Sequence, residues 1–127
     1  MKIRMTSRED YLKAILLLSK EKAEVRAVDL ALYLNFSKAS VSRAVALLEK
    51  EGYLYIQDHG LHLSAKGLAI AEQTYEKYCF FSEQLTAMGI APELAREDAC
   101  RLEHAISNES FEKIRQAHSH MKSKEKP

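Results

Sequence analysis

Three side chains late in the chain, Cys100, Glu103 and His104, stand at i, i+3 and i+4. On an α-helix that spacing puts them on one face, where a sulfur, a carboxylate and an imidazole can converge on a single cation. The apolar residues of the same stretch, Ala99, Leu102 and Ile106, project from the other side, and Cys100 instead keeps company with Arg96, Glu97, Glu103 and His104. A packing cysteine belongs with the apolar set, whereas a thiol among charged groups is better placed to act as a thiolate. A face with one Cys, one Glu and one His also arises by chance, so the triad defines a candidate site and nothing further.

A second constellation lies between Ser37 and Lys50. Spaced at 100° per residue, Val41, Ala44, Val45 and Leu48 fall on one side of a predicted helix, and Ala39, Ser42, Arg43, Ala46 and Lys50 on the other. An apolar face that docks on its neighbours and a slim face of small residues are what a helix needs to enter a DNA major groove. Arg43 can present a bidentate fork to guanine O6 and N7, Ser42 can reach a base edge or phosphate, and Ala39 can meet a thymine methyl. Ser37, Lys38 and Ser40 sit at the helix N-terminus, where phosphate contacts are favoured. Between Asp29 and Glu49 the charged residues are Lys38 and Arg43, so the local field is positive. The competing reading is a solvated face on an unrelated helical domain.

These residues have to be positioned by a mostly helical chain. Gly occurs at 52, 60, 67 and 89 and Pro at 92 and 127, and so few breakers predict helices. A first helix is expected from Ser7 to about Ser19 with Leu12, Ile15, Leu16 and Ser19 inward, then a short one over Ala27 to Leu34. The third runs from Lys38 to Lys50 or Glu51, capped by Ser37 and closed by Gly52. The β-prone runs Tyr53 to Gln57 and Leu61 to Leu63 flank Asp58-His59-Gly60, with Gly60 expected to supply the positive φ of a tight turn. A helix-turn-helix followed by such a hairpin is a winged helix, and His59 and His62 flank the tip of the wing. Ser64 starts a long fourth helix ended by Gly89, Pro92 opens a fifth to about Ile106, and a last one covers Asn108 or Glu109 to about His118.

The predicted fold class is therefore mainly α: an N-terminal winged helix-turn-helix with a small β-hairpin wing, followed by an all-helical dimerisation region. The divisions are 1–66 for DNA binding, 67–118 for dimerisation and effector binding, and 119–127 as a polar, Lys-rich tail. A length of 127 residues with 46% hydrophobic residues suits one globular domain, or a compact domain with an appendage. The net charge of +1, from 19 basic and 18 acidic residues, excludes a non-specific nucleic-acid coat. Two cysteines without a CxxC pattern, and no apolar run long enough for a membrane span or secretory signal, predict a cytoplasmic protein. Catalysis is not expected. Cys100 and His104 have no evident orienting third group or oxyanion loop, and no Gly-rich phosphate loop occurs. A winged-helix protein-interaction module without DNA binding is the other alternative, against which the Lys38, Ser42 and Arg43 set stands.

Four runs carry a resemblance: Glu97-Asp-Ala-Cys-Arg-Leu-Glu-His-Ala-Ile-Ser107, Arg8-Glu-Asp-Tyr-Leu-Lys-Ala-Ile, Ser37-Lys-Ala-Ser-Val-Ser and Leu63-Ser-Ala-Lys-Gly67. Taken in their order along the chain, which they span nearly whole, they resemble the diphtheria-toxin-repressor and manganese-transport-regulator family of iron-dependent repressors. The resemblance implies a homodimeric winged-helix repressor, controlling metal-uptake genes, whose metal binding favours the DNA-competent arrangement. It also implies the short manganese-type architecture without an SH3-like domain. Glu103 and His104 match family ligands, Cys100 matches the thiolate of the iron-responsive branch, and Asp10 falls where the manganese branch uses Asp. Three positions depart: Tyr78 replaces a ligand His, Lys13 a ligand Glu, and Arg96 a ligand His.

Cations at 13 and 96 oppose a second metal ion unless carboxylates offset them. What remains is one site from Asp10, Cys100, Glu103 and His104, with Cys79 beside Tyr78 as a substitute donor. Its sulfur, imidazole and carboxylate suit Zn, Fe(II), Co or Ni better than Mn. The alternative is that Lys13 or Arg96 pairs with Glu103 and replaces the ion, leaving a metal-independent regulator. The stripe Tyr75, Tyr78, Phe80, Phe81 and Leu85 reads either as intrachain core or as a dimer interface, the latter favoured, and a dimer would meet a palindromic operator.

Overall fold

The computed structural model describes residues 5–125 as six helices and one hairpin: α1 (Met5–Glu21), α2 (Ala27–Leu34), α3 (Lys38–Lys50), β1 (Leu54–Gln57), β2 (Gly60–Leu63), α4 (Ala65–Ala87), α5 (Pro92–Ala105) and α6 (Asn108–Glu125). The chain divides into two compact units, one ending at Thr74 and the other beginning at Tyr75. That division falls inside α4. No described helix is long and apolar enough to cross a membrane.

In the first unit α1 begins ahead of Ser7, which lies in its first turn and not at its cap. The helix buries Tyr11, Leu12, Ala14, Ile15 and Leu18, while Leu16 is half-buried. Ser19, expected inward, is exposed, and its hydroxyl donates to the Leu16 carbonyl at 2.6 Å. The stripe is turned toward Leu18 because Tyr11, Ala14 and Leu18 share the i, i+3, i+7 face. In α2, Leu30 and Ala31 are buried and Val28 is exposed. Its start is held by Asp29, whose carboxylate accepts the Arg26 backbone N–H at 2.9 Å and the Lys22 ammonium at 2.6 Å. Asn35 closes it at φ 57°, a left-handed conformation that Asn tolerates better than most residues.

Ser37 caps α3, its hydroxyl accepting the Ser40 N–H at 3.1 Å. The hairpin that follows is antiparallel, in the register Leu54↔Leu63, Tyr55↔His62, Ile56↔Leu61 and Gln57↔Gly60. The positive φ values of its turn belong to Asp58 (52°) and His59 (69°), not to Gly60. The register explains the difference. Gly60 pairs with Gln57, so the two-residue loop is Asp58-His59, and a type I′ loop needs positive φ at both of its central residues. Val25 adds a further tie, its carbonyl accepting the Leu61 N–H at 2.7 Å. Around these elements Leu12, Ile15, Leu30, Val41, Val45, Leu48, Leu54, Leu61 and Ala71 form one core. Each fully buried large aliphatic contributes roughly 1.5–3 kcal/mol.

The end of α3, the wing and the start of α4 meet at Tyr53. Its N–H donates to the Leu48 carbonyl at 3.0 Å, and its carbonyl accepts the Ser64 N–H at 3.1 Å. The Ser64 hydroxyl donates to the Gly52 carbonyl at 2.6 Å and accepts the Gly67 N–H at 3.1 Å, which makes it the cap of α4. A Cβ on residue 67 would stand 1.9 Å from the Tyr53 oxygen, so the first turn of α4 approaches that closely only because residue 67 is Gly.

In the second unit Gly89, at φ 95°, ends the helix that began at Ala65, and Pro92 opens α5. Ser107 caps α6, accepting the Ser110 N–H at 3.1 Å. Buried Lys77 donates to the carbonyl of Ile106, the C-cap of α5, at 3.1 Å, placing a cation at the negative end of that helix. Part of the α4 stripe expected at an interface between copies packs inside the chain. Phe80 and Phe81 meet Phe111 at 5.5 and 5.9 Å between ring centroids, and Phe80 meets the His118 ring at 5.6 Å. The helix predicted to stop near His118 continues to Glu125, because Met121 to Glu125 contains helix formers and no Gly or Pro.

Two outcomes follow for stability. Gly67→Ala should cost about 3 kcal/mol, measured by urea unfolding, because backbone must move to admit the methyl group. Lys22 and the Arg26 N–H hold the Asp29 carboxyl below its ordinary range. A lowered folded-state pKa stabilises above the ordinary carboxylate value of about 4, and that stabilisation is lost as pH falls through the lowered value. Wild type should therefore exceed Asp29→Asn in stability at pH 7, and the gap should close in unfolding curves recorded at progressively lower pH.

Candidate functional site

The burial of α3 divides as its sequence does. Val41, Ala44, Val45 and Leu48 are buried, while Lys38, Ala39, Ser42, Arg43, Ala46 and Lys50 are exposed. Ser37 is exposed and Ser40 half-buried, and the Ser37 hydroxyl donates to the Ser40 hydroxyl at 2.9 Å. These two hydroxyls are engaged in the cap, so what they offer an incoming phosphate is the helix N-terminus that they organise. Among the described residues no carboxylate pairs with Lys38 or Arg43. Both cations are thus available on a face bordered by small side chains. On the wing, Tyr55, Ile56 and His59 are exposed, and the Tyr55 and His62 rings stack across the strands with centroids 5.2 Å apart.

In α5 the buried residues are Ala95, Ala99 and Glu103, an i, i+4, i+8 stripe. Glu103 therefore lies on the inward face with two alanines, while Leu102, expected inward, is 37% exposed. A carboxylate without exposed surface requires compensating polar or cationic groups. One neighbour is His104, whose Nε2 stands 3.3 Å from Glu103 Oε1 and whose side chain is 13% exposed. Carboxylate and imidazole side by side are a donor pair suited to a divalent cation. The Cys100 sulfur does not join them in a group of donors within 4.8 Å of one another among the described residues. Cys100 and Cys79 are both half-buried, and neither is in a disulfide. In the first unit Asp10 is half-buried and Lys13 is buried. Of the departing positions in the second unit, Tyr78 is half-buried and stacks on Tyr75 at 6.3 Å, and Arg96 is exposed.

Two positions that organise these elements carry little signal in the sequence. Tyr53 looked like an ordinary strand residue, and only its place between the closing Gly52 of α3 and the Ser64-to-Gly67 run hinted at a junction. Lys77 is buried against the usual preference of lysine, and nothing in its spacing marks it.

Comparison with known proteins covers both units. The profile of the iron dependent repressor N-terminal DNA binding domain matches residues 4–61, and that of the iron dependent repressor metal binding and dimerisation domain matches residues 64–126. The transcriptional regulator MntR of Escherichia coli O157:H7 is 32% identical over 108 residues, 84% of this chain and 70% of that one. An uncharacterised HTH-type transcriptional regulator of Methanocaldococcus jannaschii is 32% identical over 110 residues, 84% of this chain and 88% of that one. Among solved structures, the manganese regulator SloR is 25% identical with a TM-score of 0.76. That match covers 88% of this chain and 53% of SloR, so the chain spans about half the length of that relative. The chain belongs to the iron-dependent repressor family and is a metal-dependent, DNA-binding transcriptional repressor, not an enzyme, with a DNA-binding domain followed by a metal-binding and dimerisation domain.

Proposed function

We propose that two copies of the chain bind a palindromic operator upstream of metal-uptake genes, each laying α3 in the major groove. The observation that carries this reading is the division of α3 into a buried Val41, Ala44, Val45 and Leu48 face and an exposed Lys38, Ala39, Ser42 and Arg43 face. Arg43 reads guanine through its guanidinium fork, Ser42 reaches a base edge or phosphate, and Ala39 is small enough to approach a thymine methyl. Lys38 and the N–H groups organised by Ser37 and Ser40 hold the phosphate backbone and set register without reading sequence.

We further propose that Glu103 and His104, with Asp10 and Cys100 as additional donors and Cys79 as a substitute, hold one divalent transition ion. The bound ion supplies positive charge beside the buried Glu103 carboxylate. Imidazole with thiolate and carboxylate favours Zn, Fe(II), Co or Ni over Mn, and the cations at positions 13 and 96 disfavour a second ion. Uptake genes are the reading the resemblance supports, since a repressor that binds DNA in its metal-loaded form closes import when the metal is abundant.

A duplex selected from a random pool by the wild-type protein provides the operator for the test. Arg43→Ala should weaken binding to it by about 1–3 kcal/mol, and Lys38→Ala should lower the salt slope by about one across all sequences. Unchanged operator affinity in Arg43→Ala would remove α3 as the reading helix. For the ion, titration of apo protein with Zn(II), Fe(II), Co(II) and Mn(II) should give one equivalent per chain, with Mn(II) weakest and binding reduced in Cys100→Ser and His104→Ala. Binding untouched by both substitutions rejects this ligand set.

A further inference from the structure

Tyr53 stands at the point where the wing leaves α3, and two cations from distant parts of the sequence grip it. It is only 7% exposed. Arg8, on α1, donates from Nη1 to the Tyr53 hydroxyl at 2.9 Å, and its guanidinium carbon lies 4.9 Å from the ring centroid. Lys66, in the first turn of α4, places its ammonium 4.2 Å from the same centroid and donates to the carbonyl of Glu51, the C-cap of α3, at 3.1 Å. Among the described residues neither cation has a carboxylate partner, and the buried Nε of Arg8 has no hydrogen-bond partner. Among the described residues, the Tyr53 ring and hydroxyl are what hold the Arg8 guanidinium.

A tyrosine ring attracts a cation through its negative face, and the attraction grows with desolvation. Gathering two like charges around one buried ring is unfavourable in itself, so the contacts with the ring have to offset that repulsion. Its mechanical consequence is local. Lys66 fastens the end of α3 to the start of α4, Arg8 fastens α1 to the residue between α3 and β1, and the Ser64 and Gly67 contacts described above close the same junction.

We propose that Arg8 and Lys66 are positioning residues for DNA recognition: by clamping Tyr53 they fix the angle at which the wing leaves α3, and with it the register between the helix that reads bases and the hairpin beside it. Neither need touch DNA to do so. This inference rests on α3 being the reading helix, and its test includes a variant that separates the two.

The test compares affinity for the selected operator with affinity for a scrambled duplex of equal length. It uses fluorescence anisotropy at a temperature where circular dichroism shows every variant folded. Tyr53→Phe keeps the ring and deletes only the hydroxyl that Arg8 bonds, and it leaves the charge of the protein unchanged. Arg8→Met keeps the aliphatic stem and removes the cation. Each should lower the ratio of operator to scrambled affinity by about tenfold. The double variant should lose no more than the worse single one, since both break the same bond. Arg8→Lys, which restores a cation over the ring, should recover part of the ratio. A purely structural role would move the melting temperature but not the discrimination between the duplexes. A ratio within about twofold of wild type in Tyr53→Phe and Arg8→Met, or an equal loss on both duplexes, overturns the proposal. If Arg8→Met does not fold, Tyr53→Phe carries the test alone. Arg43→Ala in the same series distinguishes the failures: if it also keeps the ratio, α3 is not the reading helix, and if it alone loses the ratio, only the positioning role falls.

Discussion

The Tyr53 carbonyl occupies the space that a side chain on residue 67 would need, 1.9 Å from the nearest Cβ position. That close approach brings the first turn of α4 onto the residue joining α3 to the wing. With it come the Ser64 hydroxyl on Gly52 and the Lys66 ammonium on Glu51. The end of α3, the hairpin and the start of α4 are thereby one junction, and the exposed face of α3 inherits its orientation from it. A larger residue at 67 would not remove a contact so much as push three elements apart, and for that reason the constraint is felt beyond the residues that make it.

On α3 the physical requirement is a surface that is both thin and positive. Alanine and serine at 39, 42 and 46 keep the face thin, and Lys38 and Arg43 make it positive within a chain whose overall charge is +1. Near-neutrality of the whole limits non-specific attraction to phosphate, so more of the discrimination has to come from base contacts. In α5 small residues serve a different end. Ala95 and Ala99 lie on the same buried stripe as Glu103, so the carboxylate is taken out of solvent beside His104. A carboxylate held in that way responds strongly to whatever positive charge is brought to it.

Much of the molecule was legible before its coordinates. The capping serines at 37 and 64, the split faces of α3, the hairpin and the breaks at Gly89 and Pro92 all follow from local chemistry, and local chemistry is what a sequence displays. The differences arise where a tertiary partner decides. The hairpin turn takes its positive φ from Asp58 and His59 because the strand register makes Gly60 a paired residue. Leu102 faces out while Glu103 faces in, an inversion of the hydrophobic pattern that periodicity cannot foresee. Phe80 and Phe81, expected at an interface, find intrachain partners in Phe111 and His118, which lie far along the chain on α6. The donor set was visible as spacing, which puts residues on one helical face without fixing where each donor atom points.

The central claim, that the exposed face of α3 reads DNA from a junction fixed at Tyr53, is tested most directly by backbone amide NMR of the metal-loaded protein titrated with the selected operator duplex. The account predicts that the largest shift changes cluster at residues 38–43, with a second group in the wing between 55 and 62. A titration in which those amides stay unmoved while another surface responds would contradict it.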